Sequence, residues 1–330
     1  MDEVERRDFT VKTRDGVTIA VREVKARGAE AGQPIILLHG TRVPGFSEYD
    51  LKVAGGSLAE DLARLGHPSY IVDARGFGLS ERPAEMEEPP VPGAPSLVRT
   101  VEITKDLEAA ALAIRERCGV QKVAVFGWGV GGTAAIMFAG IEPQLCSHIF
   151  LYDTIYGGGG TYGSGPGSRF EDPERPGWFN KQVNGNYNYN SIDLLEEHWD
   201  RQVPIDDKDA WRDPAMVKAF SQALLDGDPT SYDRDPPTYR SPNGMLEDLF
   251  YMAAGERLFH ANQVYCKVFI INPELDTLCQ DSDMEVLIAD LKNAEDVVHY
   301  NPPNTTHYLI LDRPDRGRSE LLARMADYLR

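Results

Sequence analysis

The sequence predicts an α/β fold in which a mostly parallel, twisted sheet is flanked by helices. Short apolar runs, as at residues 35–38 and 123–126, alternate along the chain with segments of helical periodicity. This alternation indicates βαβ units. From about residue 155 to 262 the sequence is instead rich in Gly, Pro, Asn, Asp and Tyr, and the strand pattern then resumes. We therefore predict one α/β core, residues 1–154 and 263–330, interrupted by a cap at 155–262.

The spacing of apolar residues predicts the individual elements. Alternation over residues 9–13 and 17–24, with Arg14-Asp15-Gly16 between them, indicates a β-hairpin. Further strands are predicted at 35–38, 69–73, 123–126, 149–153, 268–271 and 297–300. Helices are predicted at 58–65, 103–118, 133–139, 191–199, 214–225, 246–259, 284–291 and 319–329.

Composition argues against several function classes. The 330 residues carry a formal net charge of −18, which disfavours nucleic-acid and anionic-membrane partners because both require positive charge. No apolar run approaches the roughly 20 residues that span a bilayer, and the charged N-terminus is unlike a secretory signal. The four cysteines form no C-x-x-C pair. These features predict a cytoplasmic protein with reduced thiols and neither a zinc site nor disulfides.

A tight turn at residues 127–131 is the most informative motif. A predicted strand is followed by Gly127-Trp128-Gly129-Val130-Gly131 and then by a small-residue helix. This is the layout of a nucleophile elbow, Gly-x-Ser-x-Gly, in which the turn exposes a catalytic serine. In this chain Gly129 stands at the nucleophile position.

Other residues expected of such a site also follow predicted strands. Thr41 follows His39-Gly40 at the end of the 35–38 strand, so the N–H groups of Thr41 and Val130 are predicted to form an oxyanion hole. Asp276 and His307 follow the 268–271 and 297–300 strands. Asp276 is predicted to hold one ring nitrogen of His307, leaving the other to face the substrate as a base.

Together these motifs resemble the capped α/β-hydrolase-fold proteins, a group that includes epoxide hydrolases, haloalkane dehalogenases, C–C hydrolases and proline iminopeptidases. The resemblance covers roughly residues 8–154 and 264–330 and does not extend to the cap. It implies a hydrolase-superfamily enzyme that needs no metal and no organic cofactor. The loop 73–80 resembles one that supports such a site, with Arg75 fixing it in place. The chain departs from the group at Gly129, the position that usually defines the mechanism.

A second fold interpretation uses the same glycines. Gly127, Gly129 and Gly132 fit the dinucleotide fingerprint G-x-G-x-x-G, and Asp153 ends the following strand where a ribose-binding acid would stand. However, that fingerprint normally lies in the first βαβ unit, whereas several strands precede this one. It also leaves Asp276 and His307 unexplained.

Three interpretations of Gly129 remain open within the hydrolase fold. In the favoured one, the enzyme works without a covalent intermediate: His307, oriented by Asp276, activates water or the substrate, in hydrolase or lyase-type chemistry. In the second, an ordinary serine hydrolase carries an engineered serine-to-glycine change. In the third, the chain is a non-catalytic protein that binds a ligand in a retained pocket.

Substrate contacts are harder to predict. Arg42, beside Thr41, is a candidate clamp for a carboxylate or enolate, and Trp128 is a second candidate for substrate contact. Aromatic residues of the cap suit a hydrophobic or aromatic small molecule, and the glycines of 157–167 suit a lid hinge. His260 is a weaker candidate for the cap lining. The oligomeric state stays open. The cap aromatics are Tyr156, Tyr162, Phe170, Trp178, Phe179, Tyr187, Tyr189 and Trp199.

Overall fold

The computed structural model describes residues 3–28, 32–159 and 163–330. Its main sheet has eight strands in the order β1-β2-β4-β3-β5-β6-β9-β10, and β7 and β8 form a separate antiparallel pair. The strands are β1 Val4–Lys12, β2 Thr18–Ala26, β3 Ile35–Leu38, β4 Ser69–Val72, β5 Val123–Trp128, β6 Cys146–Tyr152, β7 Tyr187–Asn190, β8 Tyr239–Pro242, β9 Lys267–Ile271 and β10 Asp296–Tyr300.

Helices cover both faces of this sheet. They are α1 Gly45–Tyr49, α2 Leu58–Arg64, α3 Thr100–Cys118, α4 Val130–Ile141, α5 Lys181–Asn184, α6 Ile192–Gln202, α7 Pro214–Asp226, α8 Gly244–Ala253, α9 Asp281–Asp290 and α10 Arg318–Tyr328. The helix predicted at 246–259 is wrong in its last part, because Gly255 adopts a φ of +95° and ends the helical path.

The topology explains where a ligand would bind. β1 and β2 form the predicted hairpin, whereas β4, β3, β5, β6, β9 and β10 pair in parallel. The chain leaves β3 toward β4 on one side and later returns through α3 to β5 on the other. Open α/β sheets bind ligands at such a switch point, outside the carboxyl ends of the strands. Here those ends are Leu38 and Trp128.

Two hydrophobic clusters hold the sheet between its helices. Alternate strand residues face opposite ways: Ile36 and Val125 lie in one cluster, Leu37 and Phe126 in the other, and all four are fully buried. Burying each such side chain is worth roughly 1.5–3 kcal/mol. The 155–262 segment contributes to both clusters, so it packs continuously on the core. Among the described residues, no helix combines the length and apolar character needed to cross a bilayer.

Candidate active site

The turn between β5 and α4 has the geometry of a nucleophile elbow. Gly129 adopts φ 56° and ψ −120°, outside the conformations that residues with side chains favour. A Cβ on Gly127 would lie 2.3 Å from the Gly131 carbonyl oxygen, and one on Gly131 would lie 2.3 Å from the His39 carbonyl oxygen. Among the described residues, leaving aside its own chain neighbours, a Cβ on Gly129 would meet no atom within 4 Å. Packing therefore requires glycine at 127 and 131, whereas position 129 opens into free space.

The predicted oxyanion donors lie at the same cavity. Thr41 and Val130 both line it, and within the described ranges neither backbone N–H has a hydrogen-bond partner. The adjacent Gly40 N–H is used differently, because it donates to the buried carboxyl of Glu48 at 3.2 Å. Burial raises the pKa of Glu48 well above its ordinary value. The two free N–H groups can stabilise negative charge on a bound oxygen.

Loops that follow the central strands support this edge of the sheet. His39 accepts a hydrogen bond from the Ala74 N–H at Nε2, at 3.0 Å, and its other ring nitrogen lies 2.8 Å from the Gly40 carbonyl. Arg75 pairs with Asp106 at 2.7 Å and with Asp15 at 2.9 Å. The supporting role predicted for Arg75 is thus confirmed by its ion pairs.

Asp276 and His307 meet as predicted. His307 Nδ1 lies 3.1 Å from Asp276 Oδ2, although the two residues are 31 positions apart in the sequence. Asp276 also accepts hydrogen bonds from the N–H groups of Leu278, at 2.8 Å, and Cys279, at 3.3 Å. Burial alone would raise the pKa of Asp276, but His307 and these donors lower it below the ordinary value. Asp276 is therefore the ionised partner of the histidine.

The other ring nitrogen of His307, Nε2, accepts a hydrogen bond from Trp128. Its indole Nε1–H donates to His307 Nε2 at 3.1 Å. The expectation that this nitrogen faces the substrate is not met in the structure, because Trp128 projects from the elbow toward the histidine. An acceptor nitrogen carries no hydrogen, so the network assigns the ring hydrogen to Nδ1, which faces Asp276.

Asp153 is a third ionisable residue that the sequence analysis linked only to the dinucleotide interpretation. It follows β6 and is fully buried, and its Oδ2 lies 3.2 Å from His307 Nδ1. Within the described residues its carboxyl oxygens have no well-aligned hydrogen bond. Burial and the adjacent Asp276 raise the pKa of Asp153 well above its ordinary value. Its positive φ of 50°, unusual for a residue with a side chain, is a structural sign of a special role.

The spacing of these side chains raises the question of a metal ion. Asp153, Asp276 and His307 each offer a donor atom, and the three atoms lie within 4.8 Å of one another. However, the histidine atom that faces the carboxylates is Nδ1, and the hydrogen bond from Trp128 to Nε2 places the ring hydrogen on Nδ1. A protonated nitrogen has no lone pair for a metal. The geometry is that of a hydrogen-bonded acid–base group.

A cavity of about 690 Å³ lies over this edge of the sheet. Gly129, Asp153, His307 and Trp128 line its inner side. Arg42 also lines it, and in the described part of the chain it has no ion pair or hydrogen bond; its guanidinium lies 5.7 Å from the ring centre of Phe170. The volume suits a small organic molecule. An unpaired arginine in its wall suits an anionic group on that molecule.

The cap contributes a different lining from the one predicted. Its lining residues in the described part are Ile155, Gly163, Ser164, Arg169, Phe170, Leu194, Leu195, Glu197, His198, Arg201, Phe220, Leu246 and Leu249. Of the eight aromatic candidates only Phe170 is among them, and Tyr162 lies outside the described residues. Trp178 is 56% exposed, and Trp199 is buried against Tyr308, with ring centres 4.7 Å apart. An aromatic lining is thus met at Phe170, whereas most of the other described rings are packing residues, as aromatic residues of such a segment commonly are.

The prediction for His260 is corrected, because it is 60% exposed, lies 3.5 Å from Asp290 and is not among the cavity-lining residues. A histidine that the sequence did not single out, His198, lines the cavity instead, and its Nδ1 lies 2.8 Å from the Tyr308 hydroxyl. Burial lowers the pKa of His198 to about 3, and neighbouring His307 contributes. Only the packing of α6 over the site shows this, because no local motif marks His198.

Comparisons with known proteins agree with this geometry. The sequence model of a family described as "alpha/beta hydrolase fold" matches residues 33–314. Among curated proteins no match is found. The sheet order and this match contradict the dinucleotide-binding interpretation of Gly127, Gly129 and Gly132.

Solved structures show the same fold at low identity. A thermophilic esterase from Thermogutta terrifontis, solved with malate bound, is 16% identical with a TM-score of 0.57, covering 98% of each chain. Est816, described as an N-acyl homoserine lactone degrading enzyme, is 14% identical with a TM-score of 0.59, covering 97% of this chain and 100% of its own. An esterase from Exiguobacterium antarcticum is 14% identical with a TM-score of 0.58, covering 98% of this chain and 99% of its own.

Proposed function

This chain belongs to the α/β-hydrolase-fold family, and on that premise we propose that it is an enzyme that acts on a small organic substrate without a covalent intermediate. His307, held by Asp276, takes a proton from water or from the substrate. The N–H groups of Thr41 and Val130 stabilise the oxygen on which negative charge develops. The observation that carries this proposal is the 3.1 Å contact between His307 and Asp276 beside an elbow that presents no side chain.

The vacancy at Gly129 favours attack by water. In the described part of the chain, no atom beyond the neighbours of Gly129 lies within 4 Å of the point where a Cβ would stand, so a small molecule can occupy the place of a serine side chain. We propose the N–H of the adjacent Val130, which lines the same cavity, as a hydrogen-bond donor to such a water. Catalysis of about 10³–10⁴-fold over water survives in enzymes of this chemistry that have lost a triad member.

For His307 to act as a base, its Nε2 must exchange one hydrogen bond for another. In the structure Nε2 accepts from the Trp128 indole. Water or substrate entering the cavity replaces that donor. A neutral hydrogen bond contributes about 0.5–1.5 kcal/mol net, so the exchange is a small barrier beside the cost of the reaction itself.

Esters and lactones are the substrates we propose first. The structural neighbours named above are two esterases and an enzyme that degrades N-acyl homoserine lactones. Enolisable diketones are the alternative, because deprotonation of such a substrate also places negative charge on an oxygen. Arg42 and Trp128 are the proposed substrate contacts, with Arg42 binding a carboxylate or enolate.

We further propose that the enzyme works in the cytoplasm without a metal or organic cofactor and without a nucleic-acid or membrane partner. The net charge of −18 supports the last two points. The core and cap boundaries proposed above, at residues 154–155 and 262–263, place the substrate between the two parts.

The test is a paired activity screen of the native chain, Gly129→Ser and His307→Ala. Probes are p-nitrophenyl butyrate, N-butyryl homoserine lactone and a 1,3-diketone, each before and after treatment with a chelator. We expect turnover by the native chain, unchanged by the chelator, and a loss of about 10²–10⁴-fold in His307→Ala because the base is gone. His260→Ala, a change at an exposed histidine, is the matched control.

Each alternative gives a distinct result in this screen. Activity confined to Gly129→Ser supports a serine hydrolase that lost its nucleophile. If no variant turns over any probe but the chain binds a ligand tightly, the result supports a non-catalytic binding protein. Full activity of His307→Ala refutes the base role. A fluorophosphonate reagent should leave the native chain unlabelled at residue 129, because glycine offers no hydroxyl; labelling there contradicts a serine-free mechanism.

A further inference from the structure

Asp153 is a buried ionisable residue of the cavity lining to which the proposed reaction assigns no proton transfer. It lines the cavity, whereas Asp276 does not. It also stands directly beside the elbow, since the Gly129 N–H donates to the carbonyl of Tyr152 at 2.8 Å. The residue that bears this carboxyl group is therefore a neighbour of the elbow and lines the same cavity as Gly129.

Asp153 and Asp276 lie in different surroundings, which favour different protonation states of their carboxyl groups. Asp276 is stabilised as an anion by His307 and by two backbone N–H groups. Asp153 is fully buried and has no comparable donors in the described residues. Two adjacent carboxyl groups cannot both ionise cheaply, so the proton stays on the less stabilised one. The titratable groups around Asp153 are Asp276 and Cys279 after β9, His307 after β10, Tyr152 on β6 and Tyr49 on α1.

We propose that Asp153 is a catalytic acid of this site, a neutral carboxylic acid at the cavity wall beside Gly129 that gives its proton to an oxygen of the bound substrate. The proposal rests on the proposed function for the identity of the reaction. It adds a proton donor to a site that so far has only a base and an oxyanion hole. It also names a substrate class, namely esters or lactones whose leaving oxygen needs a proton.

The proton balance for an ester is as follows. His307 Nε2 takes a proton from water, and the water oxygen bonds to the carbonyl carbon. The bond from that carbon to the leaving oxygen breaks, and the leaving oxygen takes the Asp153 proton, so that an acid and an alcohol are released. The imidazolium then returns its Nδ1 proton to the Asp153 carboxylate across 3.2 Å. Exchange with solvent restores the starting tautomer of His307.

A purely structural role for Asp153 predicts something different. A packing residue affects all substrates alike. A proton donor matters for an alkoxide leaving group, which is a strong base, and matters little for nitrophenolate, which leaves without a proton. The discriminating quantity is therefore the ratio of the rates with ethyl butyrate and p-nitrophenyl butyrate.

The experiment compares this ratio in the native chain, Asp153→Asn and Asp276→Asn. We expect Asp153→Asn to lower the ratio by about 10²-fold or more, as for loss of a general acid. Asp276→Asn should slow both esters alike, because it impairs His307, which both reactions use. An unchanged ratio in Asp153→Asn overturns the proposal.

A second measurement does not depend on turnover. Because the pKa of Asp153 is raised in the folded chain, its protonated form stabilises the fold fully below about pH 4, the range of a free carboxyl, and this contribution is lost as pH rises toward the folded value. Asparagine does not titrate. The melting temperature of Asp153→Asn should therefore rise relative to the native chain between pH 4 and pH 8.

For Asp276→Asn we expect a change in melting temperature, relative to the native chain, of the opposite sign. The lowered pKa of Asp276 gives stability that is complete above about pH 4 and is lost as pH falls toward the folded value. The melting temperature of Asp276→Asn should therefore fall relative to the native chain as pH rises toward about pH 4, and should stay lower by a constant amount from there to about pH 8. Parallel melting profiles for Asp153→Asn and the native chain overturn the proposal. If the native chain hydrolyses neither ester, the proposed function fails, and the melting profiles still show whether Asp153 carries a proton.

Discussion

The cavity has a floor built by the core and a roof built by the 155–262 segment, and the two are constructed differently. On the floor, a Cβ on Gly127 or Gly131 would lie 2.3 Å from a backbone carbonyl oxygen, so only glycine fits there, and His307 is hydrogen-bonded at both ring nitrogens. On the roof, Arg169 and Arg201 are exposed, and the ion pair between Arg201 and Glu197 is 3.9 Å long. The floor holds its polar groups in a fixed geometry, whereas the roof presents exposed charged side chains.

The floor and the roof therefore determine different properties of the site. The floor sets which protons and charges can be handled, because its polar atoms are held in place by backbone geometry. The roof sets which molecule fits, because its side chains determine shape and charge with few fixed contacts. Arg42 stands at the boundary, since its loop belongs to the core while its guanidinium lies near Phe170 of the roof.

The largest expected effect is on the floor, from Gly131→Ala. The added Cβ would lie 2.3 Å from the His39 carbonyl oxygen, and backbone cannot move away as a flexible side chain could. We expect the free energy of unfolding to fall by about 3 kcal/mol or more, at the upper end for overpacking. Denaturant unfolding measures it.

Gly129→Ala is the matched control for this change. Its Cβ enters open space and adds only the strain of a positive φ, about 1–3 kcal/mol. Equal stability losses in the two variants would contradict the difference drawn between these two glycines.

An intermediate effect is expected at the boundary, from Arg42→Met. A charge-assisted hydrogen bond contributes about 1.5–3 kcal/mol, so KM for an ester that carries a carboxylate should rise by roughly 10–100-fold. KM for a neutral ester of similar size should change little. Steady-state kinetics on the two esters measures this, with Arg14→Met, a change at an exposed arginine outside the cavity lining, as control. An equal rise in both KM values would mean that Arg42 contributes to the shape of the cavity and not to the recognition of the carboxylate.

The smallest expected effect comes from Trp128→Phe. Phenylalanine keeps an aromatic body beside His307 and removes the N–H that occupies Nε2. Freeing the base from a neutral hydrogen bond of about 0.5–1.5 kcal/mol should raise kcat by roughly 2–10-fold. Single-turnover kinetics on p-nitrophenyl butyrate measures it. A fall in kcat to the level of His307→Ala would mean that the indole positions the histidine and does not compete with its substrate.

The sequence predicts the floor well because its chemistry follows strand ends. Gly127, Gly131, Asp276 and His307 each come directly after a predicted strand or open the following helix, and parallel strands deliver their carboxyl ends to one edge. The same logic applies to Asp153, which follows β6 and therefore also lies at this edge of the sheet. The hydrogen bond from Trp128 to His307 could not be predicted from the sequence, because it depends on the side-chain rotamer of Trp128.

The roof could not be predicted in the same way. Its aromatic residues suggested a lining, but Trp199 packs against Tyr308 and Trp178 points to solvent. His198 lines the cavity because α6 lies over the site, and its approach is a long-range contact. Packing of an inserted segment depends on how its helices rest on the core, and no local spacing encodes that.

Two neighbouring residues of the cavity adopt left-handed backbone conformations at different cost. Gly129, at φ 56°, does so cheaply because glycine has no Cβ. Asp153 carries a side chain at φ 50°, a conformation that costs about 1–3 kcal/mol. The packing of this edge of the sheet must therefore offset backbone strain at Asp153 and little at Gly129, so that replacement of Asp153 by glycine would relieve strain at the same time as it removed a carboxyl group.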